Sequence, residues 1–453
     1  MFWNAFFVVE GDCMKRSLLR DFTRYVGFNI FGMIGISGYI LADTFFVARA
    51  LGATGLAALN LSIPIYSVIH GAGLMLGIGG ATRFSILKSR EQEEGAGRAF
   101  STAMKTGLFT GILLAVLGLA GSTWLAHLMG ADEHTLPLTA TYLTTILSFA
   151  PFFMLNNILL AFIRNDGNPN LSMIAMLTGS FSNILLDYLF MFPLGMGMFG
   201  AAFATGLAPI ISMGVLLLHF RKNKDFLNGL KHRISWKLIP DLCNLGLSSL
   251  VMEIASAVVL ITFNLVILSL EGNLGVAAYG IVANLALMAT GILTGLAQGI
   301  QPLVSMYHGA NDEARTAAVR KYALQTALLL AALVYGTTFI YTDEIVALFN
   351  SEANIRVAQM AQQGLRTYFV GFFFAGLNIV TATFYSATED ARSAFIISIL
   401  RGFVLIVPLV VVFGMVWNMA GVWLAFVFTE LMVTLSTVYL ERERAIREEM
   451  VRV

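Results

Sequence analysis

Twelve segments of about 20 mostly apolar residues follow one another through the chain, near 26–48, 57–80, 103–125, 138–163, 171–192, 199–220, 241–268, 274–300, 323–343, 364–388, 393–416 and 419–440. Twenty residues at 1.5 Å rise cover the roughly 30 Å of hydrocarbon in a bilayer. Without water to satisfy the backbone, only helices and closed barrels cross that layer. The ten-residue alternating strands of a barrel are absent. With 57% hydrophobic and 12% charged residues over 453 positions, a soluble globule is excluded. The sequence therefore predicts an all-α membrane protein of twelve transmembrane helices.

Placement of the 28 Lys and Arg residues sets the orientation. With the N-terminus inside, Lys15, Arg16, Arg20 and Arg24, then Arg83, Lys88, Arg90, Arg98 and Lys105, then Arg164 all lie on the inner side. The segment 221–240 adds Arg221, Lys222, Lys224, Lys231, Arg233 and Lys237. Arg315, Arg320, Lys321, Arg392, Arg442, Arg444, Arg447 and Arg452 complete 24 of 28, leaving Arg49, Arg356 and Arg366 outside and Arg401 within a span. Both termini of this multi-pass chain are thus expected in the cytoplasm. Cys13 and Cys243 make no disulfide framework, and residues 1–13 lack the features of a cleaved secretory signal. Met14-Lys15-Arg16 has the form of a natural start, which leaves residues 1–13 either as an upstream extension or as part of the mature chain.

The chain repeats once, at an offset of about 220 to 226 residues. Residues 48–59 (Ala-Arg-Ala-Leu-Gly-Ala-Thr-Gly-Leu-Ala-Ala-Leu) answer 268–279 (Leu-Ser-Leu-Glu-Gly-Asn-Leu-Gly-Val-Ala-Ala-Tyr). The stretch after Tyr142 answers the stretch after Tyr368, and that from Gly195 answers that from Trp417. Six spans per copy give both copies one orientation, so two pseudo-symmetric six-helix lobes should be related by an axis along the membrane normal. The expected division is residues 1–220, a cytoplasmic linker at 221–240, and residues 241–453. Two lobes facing across a cleft suit alternating access, and an internal pseudo-dimer needs no second copy, so a monomer is expected.

Asp43, Asp187, Glu253, Arg401 and Glu430 stand inside spans, where a charge costs several kcal/mol and is kept for use. Asn183 lies four residues before Asp187, on the same helix face, with Gly179 a turn further back. A carboxylate, a carboxamide and room beside them make a cation or proton site; the plainer reading is a buried structural pair. Glu253 occupies the corresponding stretch of the second lobe. Arg401 and Glu430 are expected to neutralise each other, and Arg164 and Glu389 to close inner helix ends in solvent. Prolines 64, 151, 209, 302 and 408 permit kinks. The 21 Met and 35 Phe offer soft, aromatic surface to lipophilic cations, although ordinary packing accounts for most of them. There is no Gly-x-x-x-x-Gly-Lys-Ser/Thr loop to bind a nucleotide, no nucleic-acid signature and no His or Cys cluster around His127 and His134. An ion gradient, without cofactor or enzyme chemistry, is the expected driving force.

Several motifs together resemble the multidrug and toxin extrusion family of bacterial type, over nearly the whole chain. They are Leu41-Ala-Asp-Thr-Phe-Phe-Val-Ala-Arg-Ala-Leu-Gly52 with Ala57-Ala58, Gly77-Ile-Gly-Gly-Ala-Thr82, Arg164-Asn-Asp-Gly-Asn-Pro169, Asn183-Ile-Leu-Leu-Asp-Tyr188, Gly200-Ala-Ala-Phe-Ala-Thr205 and Gln301-Pro-Leu-Val-Ser-Met-Tyr-His-Gly-Ala310. The resemblance implies a coupling site for protons or Na+ at Asp43, Asn183, Asp187 and Thr205, with Tyr142 beside them. Glu253 matches a seventh-span acid of one subgroup and is the candidate site of the second lobe. That subgroup's tenth-span Asp is missing here, since 364–388 holds no carboxylate, which argues against a second-lobe sodium site. The family implies efflux of cationic, lipophilic small molecules by antiport with H+ or Na+. The alternative is a flippase or exporter of a lipid-linked or narrow metabolite substrate in the same superfamily; an anionic head group would call for several inward Arg or Lys, and only Arg401 qualifies. A major-facilitator exporter is excluded, because Thr82-Arg-Phe-Ser-Ile-Leu-Lys88 does not carry its loop motif.

Overall fold

The computed structural model describes residues 2–223, 228–350 and 354–452, with side chains described over 17–221, 223, 228–350 and 354–442. Lys224 of the linker lies outside the described residues, as do the side chains of Lys15, Arg16, Lys222, Arg444, Arg447 and Arg452. Among the described residues the chain is helical, without strands.

Seven helices are long and apolar enough to cross a membrane, or nine when two bent pairs are counted as single spans. Three of the seven turn back once in the middle, and the total is twelve spans. Helix α1 (Phe2–Ser89) carries spans 1 and 2 and breaks at Gly52. Tyr39 and Tyr66, 27 positions apart, meet across that break with hydroxyls 3.4 Å apart. Span 3 is α2 (Glu93–Leu128). Span 4 is α3 (Leu136–Ser148) followed by α4 (Ala150–Asn165), bent by 50°. Pro151, which has no N–H to give to the preceding turn, stands at that bend. Spans 5 and 6 are α5 (Pro169–Met191) and α6 (Gly197–Lys222).

The second half repeats this course. Helix α7 (Ile239–Gly309) carries spans 7 and 8 and breaks at Gly272. Span 9 is α8 (Glu313–Ile340), followed by the short α9 (Thr342–Phe349). Span 10 is α10 (Ile355–Tyr368) with α11 (Gly371–Ala387), bent by 48°. Span 11 begins as α12 (Ala391–Ile399), passes through a π-helical turn at Leu400–Val404, and continues in α13 (Ile406–Arg452), whose break at Asn418 starts span 12.

Backbone irregularities fall in repeat-related pairs. Gly52 (φ 64°, ψ −156°) matches Gly272 (φ 62°, ψ −153°), in a region that only glycine enters without strain. Positive φ recurs at Glu91 and Asn311, at Gly167 and Glu389, and at Gly197 and Asn418, each pair 220 to 222 positions apart. The repeat read from residue identities is thus a repeat of turn geometry.

Two large apolar cores result, with a smaller cluster of Ala382, Ile397 and Val433 beside them. One gathers Val47, Ile69, Phe100, Ile146, Phe162 and Leu216 from the first half. The other gathers Phe263, Val282, Leu296, Phe372 and Trp423 from the second, joined by Leu18, Phe22 and Val26 at the start of α1. The lobes touch through glycine. A Cβ on Gly79 would stand 2.0 Å from the Leu242 carbonyl oxygen, and one on Gly246 would stand 1.9 Å from that of Met75, so spans 2 and 7 meet backbone to backbone. Spans 1 and 8 pack likewise, with Gly295 on Ile30 and Gly299 on Val26.

Candidate functional site between and within the lobes

Asp43 on span 1, Tyr142 on α3, Asn183 and Asp187 on α5, and Thr205 on α6 are all buried, with Asn183 and Asp187 at zero exposure. The structure brings them into one cluster inside the first lobe. Asp43 lies within Coulombic range of Asp187, and Tyr142 within range of both. The Asn183 amide donates to Thr205 Oγ1 at 3.3 Å. Turned end for end, the same amide donates to Asp187 Oδ2 at 3.1 Å and accepts from the Thr205 N–H at 3.3 Å, which satisfies both of its ends. Oδ1 of Asp43 and Oδ1 of Asp187 are buried without a hydrogen-bond partner, as is Oγ of Ser180 one turn before Asn183. Burying a carboxylate oxygen unpaired costs several kcal/mol. Two such oxygens, an amide and a hydroxyl offer hard donors that a proton or a small cation satisfies. No group of three His, Cys, Asp or Glu side chains able to hold a transition metal occurs among the described residues.

The second lobe answers this with a closed network. Arg401, on the π-turn of span 11, places Nη2 2.7 Å and Nε 3.1 Å from Glu430 Oε1. Asn378 donates to Glu430 Oε2 at 2.7 Å, and Thr434 donates to Asn378 at 3.0 Å. The expected neutralising pair is there, and it leaves no carboxylate for a cation.

Glu253 is not part of that network. Its Oε2 stands 3.4 Å from Nδ1 of His70 on span 2, across the boundary between the lobes. The sequence reading passed over His70, although an imidazole in the middle of span 2 carries the same signal as Asp43.

The end of the bundle rich in Lys and Arg is sealed by a polar seam. Arg83 holds Asp241 with two 2.7 Å bonds and reaches Glu389 at 2.5 Å. Gln301 donates to Thr82 at 2.9 Å and accepts from Asn165 at 2.8 Å. Two expectations are corrected here. Arg164 is buried at 2% exposure, donating to Asn29 at 2.7 Å and to Gln298 at 3.0 Å. Glu389 is likewise engaged, with Arg83, Arg90 and His308 around it. Solvation was expected because both close helix ends, but those ends abut the opposite lobe. Among the described residues, the hydrogen bonds and ion pairs that join the lobes all lie between the level of His70 and Glu253 and this basic end.

A family model described as MatE matches residues 29–189 and 249–412, most of each lobe. The chain belongs to the MatE family. MatE is a transporter family and not an enzyme family. The matched segments hold Asp43, Tyr142, Asn183, Asp187, Glu253 and Arg401, while Thr205 and Glu430 fall outside them. Over 411 residues, 90% of each chain, this MatE protein is 28% identical to the multidrug export protein MepA of Staphylococcus saprophyticus. It is 26% identical over the same length to MepA of Staphylococcus aureus. Among solved structures, an outward-facing multidrug resistance MATE transporter of the MOP superfamily superposes with a TM-score of 0.87 at 22% identity, over 94% of this chain and 95% of the other. A MOP superfamily transporter from Pyrococcus furiosus, in which reverse polarity of the binding pocket suggests a different function, superposes at 0.85 with 23% identity, over 94% and 95%. The twelve-helix, two-lobe fold therefore does not by itself fix function, and the site residues have to carry the functional argument.

Proposed function

We propose that this protein exports lipophilic organic cations across the cytoplasmic membrane of a bacterium, by antiport with H+ or Na+ bound at Asp43, Asn183, Asp187 and Thr205, with Tyr142 lining the site. The observation that carries this reading is the pair of buried, unpartnered carboxylate oxygens on Asp43 and Asp187. The basic end faces the cytoplasm. With the seam closed there, the cleft opens outward, the state in which a monomeric two-lobe exchanger releases its drug and takes up its ion. The two lobes, 1–220 and 241–453, rock about the linker 221–240.

Energetics favour a paired site. A membrane potential of roughly 100 mV is worth about 2.3 kcal/mol per charge, and one pH unit about 1.36 kcal/mol. Expelling a monovalent cation 100-fold against that potential needs about 2.7 plus 2.3 kcal/mol. One proton rarely supplies this; two protons on two acids, or one sodium ion under a steep gradient, do. Export of a drug is also what the names of the Staphylococcus relatives describe for those proteins.

Ethidium efflux from energised cells tests the reading, with wild type, Asp43→Asn and Asp187→Asn at equal membrane abundance. Efflux that is sensitive to a protonophore or to sodium, and lost in both variants, supports it. Wild type without efflux of any cationic dye contradicts it and moves the assignment to a flippase or a narrow-substrate exporter.

A further inference from the structure

Resting on the antiport reading, we infer that His70 is a positioning residue of the transport cycle: its protonated imidazole pins Glu253 across the lobe boundary and so makes the closure of the cleft floor depend on pH.

The geometry places the pair at the floor. His70 Nδ1 and Glu253 Oε2 stand 3.4 Å apart, one on span 2 and the other on span 7, with side chains 25% and 33% exposed. Neither side chain is sealed within its own lobe. One residue along the chain, a Cβ on Gly71 would stand 3.0 Å from Cβ of Glu253 and 3.4 Å from Cα of Leu250, so spans 2 and 7 are packed closely at this level. The other inter-lobe bonds lie further toward the basic end, which makes this pair the first tie that a solute in the cleft meets.

What surrounds the imidazole leaves Glu253 as its one charged partner among the described residues. On its own helix the Tyr66 ring stacks on it at 5.9 Å and 12°. From span 1, Tyr39 reaches Tyr66 with hydroxyls 3.4 Å apart. From α4, the Asn157 amide donates to the His70 carbonyl at 3.3 Å, and Phe153 stands edge-on to Tyr66 at 5.6 Å. Beside span 7 the next cation is Arg401 of span 11, which reaches Met252 at 3.4 Å and is committed to Glu430. The stacked ring fixes the plane of the imidazole and turns Nδ1 toward the other lobe.

A charged imidazole attracts Glu253 and a neutral one does so far less. Because the pair exists only while the floor is shut, a proton on His70 favours the shut-floor, outward-open form. An acidic exterior thus holds the cleft open outward until the site in the first lobe has loaded its ion; loss of the proton lets the floor part.

Spin labels at Glu133 and Leu348, both exposed at the end opposite the seam, report lobe separation in nanodiscs without substrate, with Cys13 and Cys243 replaced by Ser. In wild type, the ratio of outward-open to closed should rise about three- to fivefold as pH is lowered from about 8 to about 5. His70→Gln and Glu253→Gln should each remove that step, their double variant no more than either alone, and His70→Arg should hold the outward-open form at every pH. Asp43→Asn should keep the step, which separates this inference from the antiport reading. A wild-type pH step retained in His70→Gln, or His70→Arg behaving as His70→Gln, overturns it.

Discussion

Arg401 and Glu430 form in the second lobe the ion pair that Asp43 and Asp187 lack in the first, with Nη2 2.7 Å from Oε1 and side chains only 8% and 3% exposed. The two lobes share a backbone plan and differ in charge. In one, an internal guanidinium neutralises the buried acid; in the other, each of two buried acids has one oxygen without a hydrogen-bond partner.

Removing the internal cation strands a buried carboxylate. Arg401→Gln should lower stability by about 3–5 kcal/mol, whereas Arg401→Met with Glu430→Leu should cost much less. Thermal unfolding of the detergent-solubilised protein distinguishes the two, and equal losses would show that the pair is not the source of the penalty.

Gly52 and Gly272 hold the same backbone 220 positions apart. A Cβ finds open space at both, so a substitution meets backbone strain alone. Gly52→Ala and Gly272→Ala should each cost about 1–3 kcal/mol, while Gly214→Ala, with no neighbour within 4 Å and no positive φ, should cost nothing. Melting temperatures of the three variants check this.

At the turn between α4 and α5, outside the spans, Asp166 meets Lys88, His219 at 2.8 Å and Asn223 at 2.7 Å. Burial pushes its carboxyl up, but the bonds from His219 and Lys88 and the charge of Lys88 outweigh burial and hold it below its ordinary value. A depressed carboxyl stabilises the fold above its unfolded value, near 3.9, and loses that contribution as pH falls through the folded value. Asp166→Asn should therefore be about 1.5–3 kcal/mol less stable than wild type at pH 7, with the gap narrowing below pH of about 4. Melting curves of both proteins from pH 7 to 3 measure it.

Arg83 bridges Asp241 and Glu389 at the basic end. Cys243, two residues from Asp241, packs against the core of the opposite lobe. Arg83→Gln should loosen the seam and raise the rate of maleimide labelling of Cys243 by about fivefold in a Cys13→Ser background. An unchanged rate would mean that the glycine contacts alone keep this end shut.

Much of this was legible in residue order. Span lengths follow from bilayer thickness, and the repeat shows in matched turns such as those around Gly52 and Gly272. Asp43, Asn183 and Asp187 stand out as polar groups in hydrocarbon, Thr205 and Tyr142 follow from the family resemblance, and the structure gathers all five, though they come from four helices. What escaped the sequence is the contact between lobes. His70 and Glu253 are 183 positions apart, and Arg83 and Glu389 are separated by 306; no local pattern announces such pairs. Arg164 reads as a solvated helix end because the groups that bury it, Asn29 and Gln298, come from spans 1 and 8. Bends at Phe149 and Val370 divide spans that hydropathy shows as continuous.

The central claim is that ions bound at Asp43 and Asp187 exchange for substrate. Its most direct test adds tetraphenylphosphonium to the purified protein in weakly buffered detergent and counts the protons released, with 22Na counting in proteoliposomes as the sodium arm. The account predicts release of one to two protons, or one sodium ion, per bound cation in wild type, and a lower count in both Asp43→Asn and Asp187→Asn. A stoichiometry unchanged by either substitution would contradict it.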